Sequence, residues 1–301
     1  MAKLMPKNLL EKGDILFIRT GAVGDSTVYT GEPPKVIASA HILIAKPNFR
    51  VSPYYLAVFF NTSFGKNLII RGTYGALQPE IAPNYIKNLP VPIFSRDLII
   101  KIEKLFLKSQ DLLQESQNFY SQAETLLLEE LGLKDFKPKY EKTYTARLSD
   151  AFSAHRIDAE YFQPAYEEVI EKIKQYPNGF SELLQAVENV APDFDPTKYP
   201  NDDFCYVELA DIDSSIGVIH SVNKVKGEEA PSRARRLLKE GDVIVSSVEG
   251  SLEKVALIDK EHDACLASTG FFQFRPLNIL PEVLLVLSKT IILQLQLKKR
   301  C

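Results

Sequence analysis

The apolar positions of this chain fall into two pairs of short runs that sit on the same framework of turns and prolines. Ile15-Leu16-Phe17-Ile18 and Thr27-Val28-Tyr29 form one pair; Val243-Ile244-Val245 and Val255-Ala256-Leu257-Ile258 form the other. Short apolar runs rich in β-branched residues predict buried strands. Each pair follows the same turn: Leu9-Leu10-Glu11-Lys12-Gly13-Asp14 recurs as Leu237-Leu238-Lys239-Glu240-Gly241-Asp242. Glycine takes a positive φ there without a steric cost, and aspartate can bond its own backbone. Further on, Ala38-Ser39-Ala40 is echoed by Ala267-Ser268-Thr269, and Lys46-Pro47 by Arg275-Pro276. Ser52-Pro53-Tyr54-Tyr55-Leu56 then corresponds to Leu280-Pro281-Glu282-Val283-Leu284. The matches keep their order with a slip of about one residue, which predicts an internal repeat of strands followed by a helix. Pro53 and Pro281 stand where a helix can begin, because a missing N–H costs nothing in the first turn.

Between the copies the period changes. Leu98, Ile102, Leu105, Ser109, Leu112, Ser116, Phe119, Ala123 and Leu126 alternate in steps of four and three, the seam of a heptad helix. A second row, Ile99, Phe106, Leu113, Tyr120 and Leu127, runs beside it. A helix of this length spans on the order of 50 Å, and Gly132 is placed to end it. Two arrangements fit: an ordinary long helix packed on its own domain, or a spacer that pairs with another long helix through Leu98, Ile102, Leu105, Leu112, Phe119 and Leu126. Beyond it, Lys134 to Asp150 is charged and aperiodic and reads as linker, and Phe162, Tyr166, Val169, Ile170 and Ile173 carry helical spacing. Asp193 to Asp203 is turn-rich, and Phe204-Cys205-Tyr206-Val207 resumes as strand. The expected class is α+β, with a mixed module in 1–94, the long helix in 95–133, a linker in 134–152 and a second module in 153–301.

Composition narrows the chemistry. The 301 residues are 45% hydrophobic and 25% charged, ordinary for globular domains, and the net charge of −3 argues mildly against a polyanionic partner. Cys205, Cys265 and Cys301 lie far apart without metal-ligand spacing, so neither a disulfide framework nor zinc is expected. The start of the chain has no apolar signal core, and Val283 to Leu297 is too short and too polar to span a bilayer, so a soluble, cytoplasmic protein without a membrane partner is expected. Gly21-Ala22-Val23-Gly24-Asp25 lacks the Gly-Lys-Ser/Thr of a P-loop. The Pro33-Pro34 pair lies outside any Asn/Asp-Pro-Pro-Tyr segment, and HExxH and GxSxG are absent. His41, His155, His220 and His262 are scattered, with His41 placed in an expected strand as a half-buried side chain, and Asp211 and Asp213 are more simply turn residues than metal ligands. No catalytic residue, cofactor or metal is expected, so the chain is read as a non-enzyme.

The ordered parts resemble a known family. Arg156-Ile157-Asp158-Ala159-Glu160-Tyr161-Phe162 resembles the opening of a target-recognition domain in specificity (S) subunits of type I restriction–modification systems. Gly13-Asp14 and Gly241-Asp242, each after Leu-Leu, resemble that domain's midpoint. Gly75-Ala76-Leu77-Gln78-Pro79-Glu80-Ile81 and Ile86-Lys87-Asn88-Leu89-Pro90-Val91-Pro92-Ile93 resemble its closing segment, which in the family runs into a spacer helix, as here from Ser95. The resemblance implies a non-catalytic subunit that reads a two-part site on double-stranded DNA through two recognition domains held by paired long helices. It also implies docking of methyltransferase (M) subunits and, through them, the restriction (R) subunit. Against that pattern the chain is expected to be incomplete at both ends. The first copy has only the back half of a recognition domain; the second is truncated, and its tail, Gln294 to Cys301, resembles nothing in the first. An unpaired heptad seam would then favour a homodimer through the spacer helix.

Phosphate contacts should come from Lys and Arg, and base readout from side chains reaching a groove. Arg19 and Thr20 follow the first strand, where the second copy has Ser247 and Val248; Arg71, Thr73, Tyr74 and Gln78 precede the closing proline. Arg233, Arg235 and Arg236 form the densest basic cluster, with Lys224 and Lys226 upstream on what reads as a hairpin. Gln78 has two readings, adenine recognition or a bond to its own loop, and the Gln-Pro turn favours the second. Three alternatives to a DNA-reading subunit stay open: a coiled-coil adaptor that binds only protein, a non-functional fragment of such a subunit, and the recognition half of a fused enzyme.

Overall fold

The computed structural model describes residues 8–48 and 51–299, which fold as two compact units, 1–114 and 115–301. Helices and short strands coexist in both, an α+β architecture. In the first unit, β1 (Ile15–Ile18) lies between β2 (Ser26–Val28) and β3 (Ile42–Ala45), antiparallel to both. Strand alternation turns Ile15 and Phe17 inward, where they pack with Phe60, Ile69 and Ile81. Two helices cover this sheet, α1 (Pro53–Asn61) and α2 (Ser63–Ile70). The Ser52 hydroxyl accepts from the Tyr55 N–H at 3.4 Å and Pro53 occupies the first turn. Thr62 both ends α1 and caps α2: its hydroxyl donates to the Phe59 carbonyl (2.6 Å) and accepts from the Gly65 N–H (3.1 Å). A short hairpin, β4 (Thr73–Tyr74) with β5 (Glu80–Ile81), and α3 (Pro83–Lys87) lead to α4 (Arg96–Glu130). Gly132, at φ +65°, follows the helix as expected. His41 stands just before β3, exposed, rather than half-buried within a strand.

In the second unit, α5 (Leu148–Ala154), α6 (Pro164–Lys174) and α7 (Leu183–Ala186) precede two four-stranded sheets. The remaining strands are β6 (Val187–Asn189), β7 (Asp203–Val207), β8 (Ile212–Asp213), β9 (Val218–Ile219), β10 (Asn223–Lys226), β11 (Ala234–Leu237), β12 (Val243–Ser246), β13 (Val255–Leu257), β14 (Leu266–Ser268) and β15 (Phe271–Pro276). The sheets have the orders β10-β7-β14-β11 and β13-β12-β15-β6, and they share a core of Val207, Ile244, Ala256, Cys265, Ala267 and Phe271. Two closing helices, α8 (Pro281–Lys289) and α9 (Ile291–Lys298), set Leu284, Leu285, Leu293 and Leu297 on β12, β13 and β15. The segment read as linker is docked rather than free. Phe136 packs against the cluster of Tyr166 and Val169, and the Lys139 N–H donates to Glu168 at 3.2 Å.

The repeat extends further than the sequence suggested. The register β12 to β13 and β15 reproduces that of β1 to β2 and β3. Gly13 and Gly241 adopt φ +94° and +87°, and each faces the proline that opens the following helix. Asp14 and Asp242 both accept a backbone N–H three residues upstream, from Glu11 and Lys239. Both copies then build a helix of 9 residues followed by one of 8, joined by a threonine. Thr290 donates to the Leu287 carbonyl at 2.6 Å, as Thr62 does to Phe59. The described part of the tail therefore does have a counterpart in the first copy: α9 repeats α2. Only the threonine survives at the sequence level, because Ser63-Phe64-Gly65-Lys66 and Ile291-Ile292-Leu293-Gln294 share no side-chain type.

One contact within the second unit has a pH signature. Lys289 Nζ stands 3.8 Å from the centre of the Tyr120 ring and donates to the Ser215 carbonyl at 3.0 Å. Burial lowers its pKa to about 8 from 10.5. Below pH 8 both folded and unfolded chains carry this proton; between pH 8 and 10.5 only the unfolded chain does, so this lysine favours folding increasingly as pH rises. Wild type should therefore gain stability over Lys289→Met between pH 8 and 10, measured by urea denaturation of both proteins. A constant difference across that range would contradict this role.

Candidate nucleic-acid interface

The predicted contact residues of the first unit converge on one locus. The backbone ties the end of β1 to the hairpin: Gly21 N–H donates to the Pro79 carbonyl at 3.1 Å and Ile81 N–H to the Arg19 carbonyl at 3.0 Å. Thr20 bridges to Glu80. Arg19 and the Tyr74 hydroxyl meet on the Glu80 carboxylate, at 3.6 and 3.2 Å. Thr73 donates to the Ile70 carbonyl at 2.8 Å, just before Arg71. That hydroxyl is thus partly spent on ending α2, whereas Arg71 is exposed. Glu80, not singled out in the sequence, orients Arg19 and neutralises part of its charge. The Gln78 side chain is exposed and makes no hydrogen bond to its own loop, whose ends are held by the pairing of β4 with β5. Beside it Leu77 is fully exposed, at 102%.

The second unit separates residues that the sequence grouped. Lys224 and Lys226 lie on β10, which pairs with β7 and not with the segment that follows it. Both are exposed, while Val225 between them packs inward. Arg233, Arg235 and Arg236 lie at the opposite edge of the same sheet, on and just before β11. Three strand spacings, about 14 Å, separate these edges. The three arginines also have three different environments. Arg233 is exposed. Arg235 is paired to Asp195 at 3.0 Å. Arg236 is 6% exposed and its Nη1 donates to the Val190 carbonyl at 2.6 Å. Burial pushes its pKa down. Arg236 thus supports the sheet and is removed from the set of DNA contacts. Ser247, at the position of Arg19 in the repeat, is half-buried, and its hydroxyl donates to the Gly270 carbonyl at 2.9 Å.

The helical seam divides by row except at Ile102. Leu98, Leu105, Leu112, Phe119 and Leu126 are exposed, between 40% and 69%. Ile102 is half-buried, as are Ile99, Phe106, Leu113, Tyr120 and Leu127 of the second row. Phe106 packs against Tyr54 in the first unit, and Tyr120 lies under Lys289 in the second. The second row thus anchors α4, while most of the first row is left without cover.

The Arg156–Phe162 motif serves the fold. Arg156 holds Asp158 in a two-pronged ion pair (2.8 and 3.1 Å), which keeps the carboxyl below its usual pKa. Glu160 accepts from Tyr166 and pairs with Lys298 at 3.0 Å, tying α6 to α9. The sequence places Glu160 on a motif but does not reveal this tie, which joins positions far apart in the chain.

Among the described residues no group of three or more His, Cys, Asp or Glu could hold a metal, and no helix is long and apolar enough to cross a membrane.

The chain is similar to components of type I restriction–modification systems, the family that its ordered motifs resemble. The particular relatives are these. One belongs to a structure describing complex assembly and conformational transition of the type I R-M system; it is 34% identical over 36% of this chain and 28% of its own, with a TM-score of 0.34. The HsdS subunit from Thermoanaerobacter tengcongensis is 36% identical over 35% of this chain and 27% of its own, with a TM-score of 0.31. The S subunit of a type I system from M. genitalium is 14% identical over 96% of this chain and 66% of its own, with a TM-score of 0.32. The matched stretch thus spans little more than a quarter of the first two proteins. No family model and no curated protein matches the chain.

Proposed function

We propose that this chain is a non-catalytic, sequence-reading DNA-binding subunit of a type I restriction–modification complex. In this role it directs methyltransferase and endonuclease subunits to a two-part DNA site. One observation carries the proposal: the two copies share a backbone frame but carry different side chains at the equivalent strand ends. Arg19 and Thr20 stand where Ser247 and Val248 stand in the other copy. A shared frame with divergent loop chemistry is what two modules reading different half-sites require. The basic side chains that remain available are Arg71 in the first unit and Lys224, Lys226 and Arg233 in the second. Arg19 and Arg235 contribute through partners already holding them. Thr20, Thr73, Tyr74, Gln78 and Ser247 complete the set, with Thr73 and Ser247 as loop supports. On this proposal residues 1–94 and 153–301 derive from two recognition domains, 95–133 is the spacer and 134–152 the connection. The exposed row of α4 takes another long helix, here from a second copy of the chain, and offers the docking site for methyltransferase subunits.

The uncovered row on α4 also favours a second reading, a coiled-coil adaptor that binds only protein. DNA titration separates the two. Lys224→Ala/Lys226→Ala/Arg233→Ala should weaken duplex binding for every sequence and flatten the dependence of affinity on salt by up to three phosphate contacts, each about 0.9 in slope. Arg236→Ala should instead lower stability while leaving that slope alone. Fluorescence anisotropy across a salt series reads both, and an unchanged slope in the triple variant would remove these residues from the interface.

A further inference from the structure

We infer that the β4–β5 hairpin tip reads an adenine–thymine pair, with Gln78 on the adenine and Leu77 against the thymine methyl. The inference rests on the DNA-binding proposal and extends it to a base pair. Leu77 is fully exposed, the most exposed large apolar side chain among the described residues. It gains nothing there from the fold, since apolar surface in water is a cost that burial would relieve. The tip that presents it is held firmly. Gly75 turns at φ +93°, and a Cβ there would meet the Gln78 carbonyl oxygen at 2.7 Å, so the chain crosses itself at a point only glycine allows. The base of the hairpin is pinned to β1 by the Pro79 and Arg19 carbonyls. Loop and sheet thus hold Leu77 and Gln78 outward as neighbours, without a partner from the protein for the amide. A carboxamide offers one donor and one acceptor side by side, the complement of adenine N6–H and N7 in the major groove. An aliphatic group next to it matches the 5-methyl of thymine, which only an adenine–thymine pair displays there. Arg71, exposed at the base of the hairpin, supplies a cation that draws it to phosphates.

The test uses the full chain and duplexes carrying the sequence that it selects from a random pool. At each adenine–thymine pair of that sequence, adenine is replaced by 7-deazaadenine, which lacks N7, or thymine by deoxyuridine, which lacks the methyl. At one pair or two adjacent pairs, wild type should lose about tenfold in affinity with 7-deazaadenine and several-fold with deoxyuridine. Gln78→Ala should be blind to the first replacement and Leu77→Ala to the second. Both positions are exposed, so both variants should fold as wild type does. If wild type selects and binds a sequence but no replacement distinguishes it from the variants, the hairpin does not read the pair. If wild type binds no duplex at all, the DNA-binding proposal itself fails, and this inference with it.

Discussion

Replacing Leu105, Leu112 and Phe119 by lysine should turn a self-associating chain into a monomer. These side chains belong to the exposed row of α4, and none lies in a core, so the substitutions leave the fold intact. Burying one such side chain contributes about 1.5–3 kcal/mol. Three per helix, at the low end of that range, exceed 4 kcal/mol, which corresponds to at least a thousandfold in dissociation constant. The introduced lysines add like-charge repulsion along a seam proposed to pair with its own copy. Light scattering at micromolar concentration should give a dimeric mass for wild type and a monomeric one for the triple variant. A monomeric wild type would reject the homodimer and leave the row to a different helix. Substitution of the neighbouring row, Phe106 or Tyr120, should instead destabilise the unit on which each packs.

The second large effect compares the two copies of the repeat. Asp242 is 1% exposed and accepts from Arg275 at 2.9 Å twice, from Gln273 at 2.7 Å and from the Lys239 N–H at 3.1 Å. The hydrogen bonds that Arg275 donates to that carboxylate raise its pKa. Asp242→Ala strands these donors, at a cost of about 3 kcal/mol, the low end for a broken buried pair because Arg275 keeps some access to water. Asp14, the equivalent residue, meets Lys46 only at 3.7 Å, and that lysine is half exposed and already paired to Glu11 at 2.9 Å. Asp14→Ala should therefore cost nearer 1 kcal/mol. Hydrogen exchange resolved to peptides reads the difference: β12 and β15 should lose protection strongly in Asp242→Ala, and β1 and β3 only slightly in Asp14→Ala. Equal losses would mean that the pairing seen at Asp242 contributes little to holding the sheet.

Much of this frame is legible in the sequence because local rules write it. The Gly-Asp turns, the four strands after them and the prolines that open α1 and α8 all follow from backbone preferences within a few residues. The long helix follows from its heptads. What the sequence leaves open are choices made by distant partners. Both apolar rows of α4 have helical spacing, and only the packing of Phe106 on Tyr54 and of Tyr120 under Lys289 decides which row is covered. Within Arg233–Arg236 the side chains differ because Arg236 reaches the Val190 carbonyl and Arg235 reaches Asp195, both distant in the chain, while Arg233 precedes the strand. Nothing local separates a buried arginine from an exposed one. Lys224 and Lys226 are displaced from that cluster because β10 finds its partner in β7, earlier in the chain, rather than in its successor. The match of α9 to α2 is hidden for another reason: the helices keep their lengths and their threonine junction while their packing surfaces change.

The most direct test of the central proposal is selection from a pool of random duplex DNA by the full chain, followed by sequencing of the retained fraction. The proposal predicts enrichment of a fixed sequence, in two parts if the chain pairs or both units engage. Retention of an unchanged pool, or no retention at low salt, would contradict it.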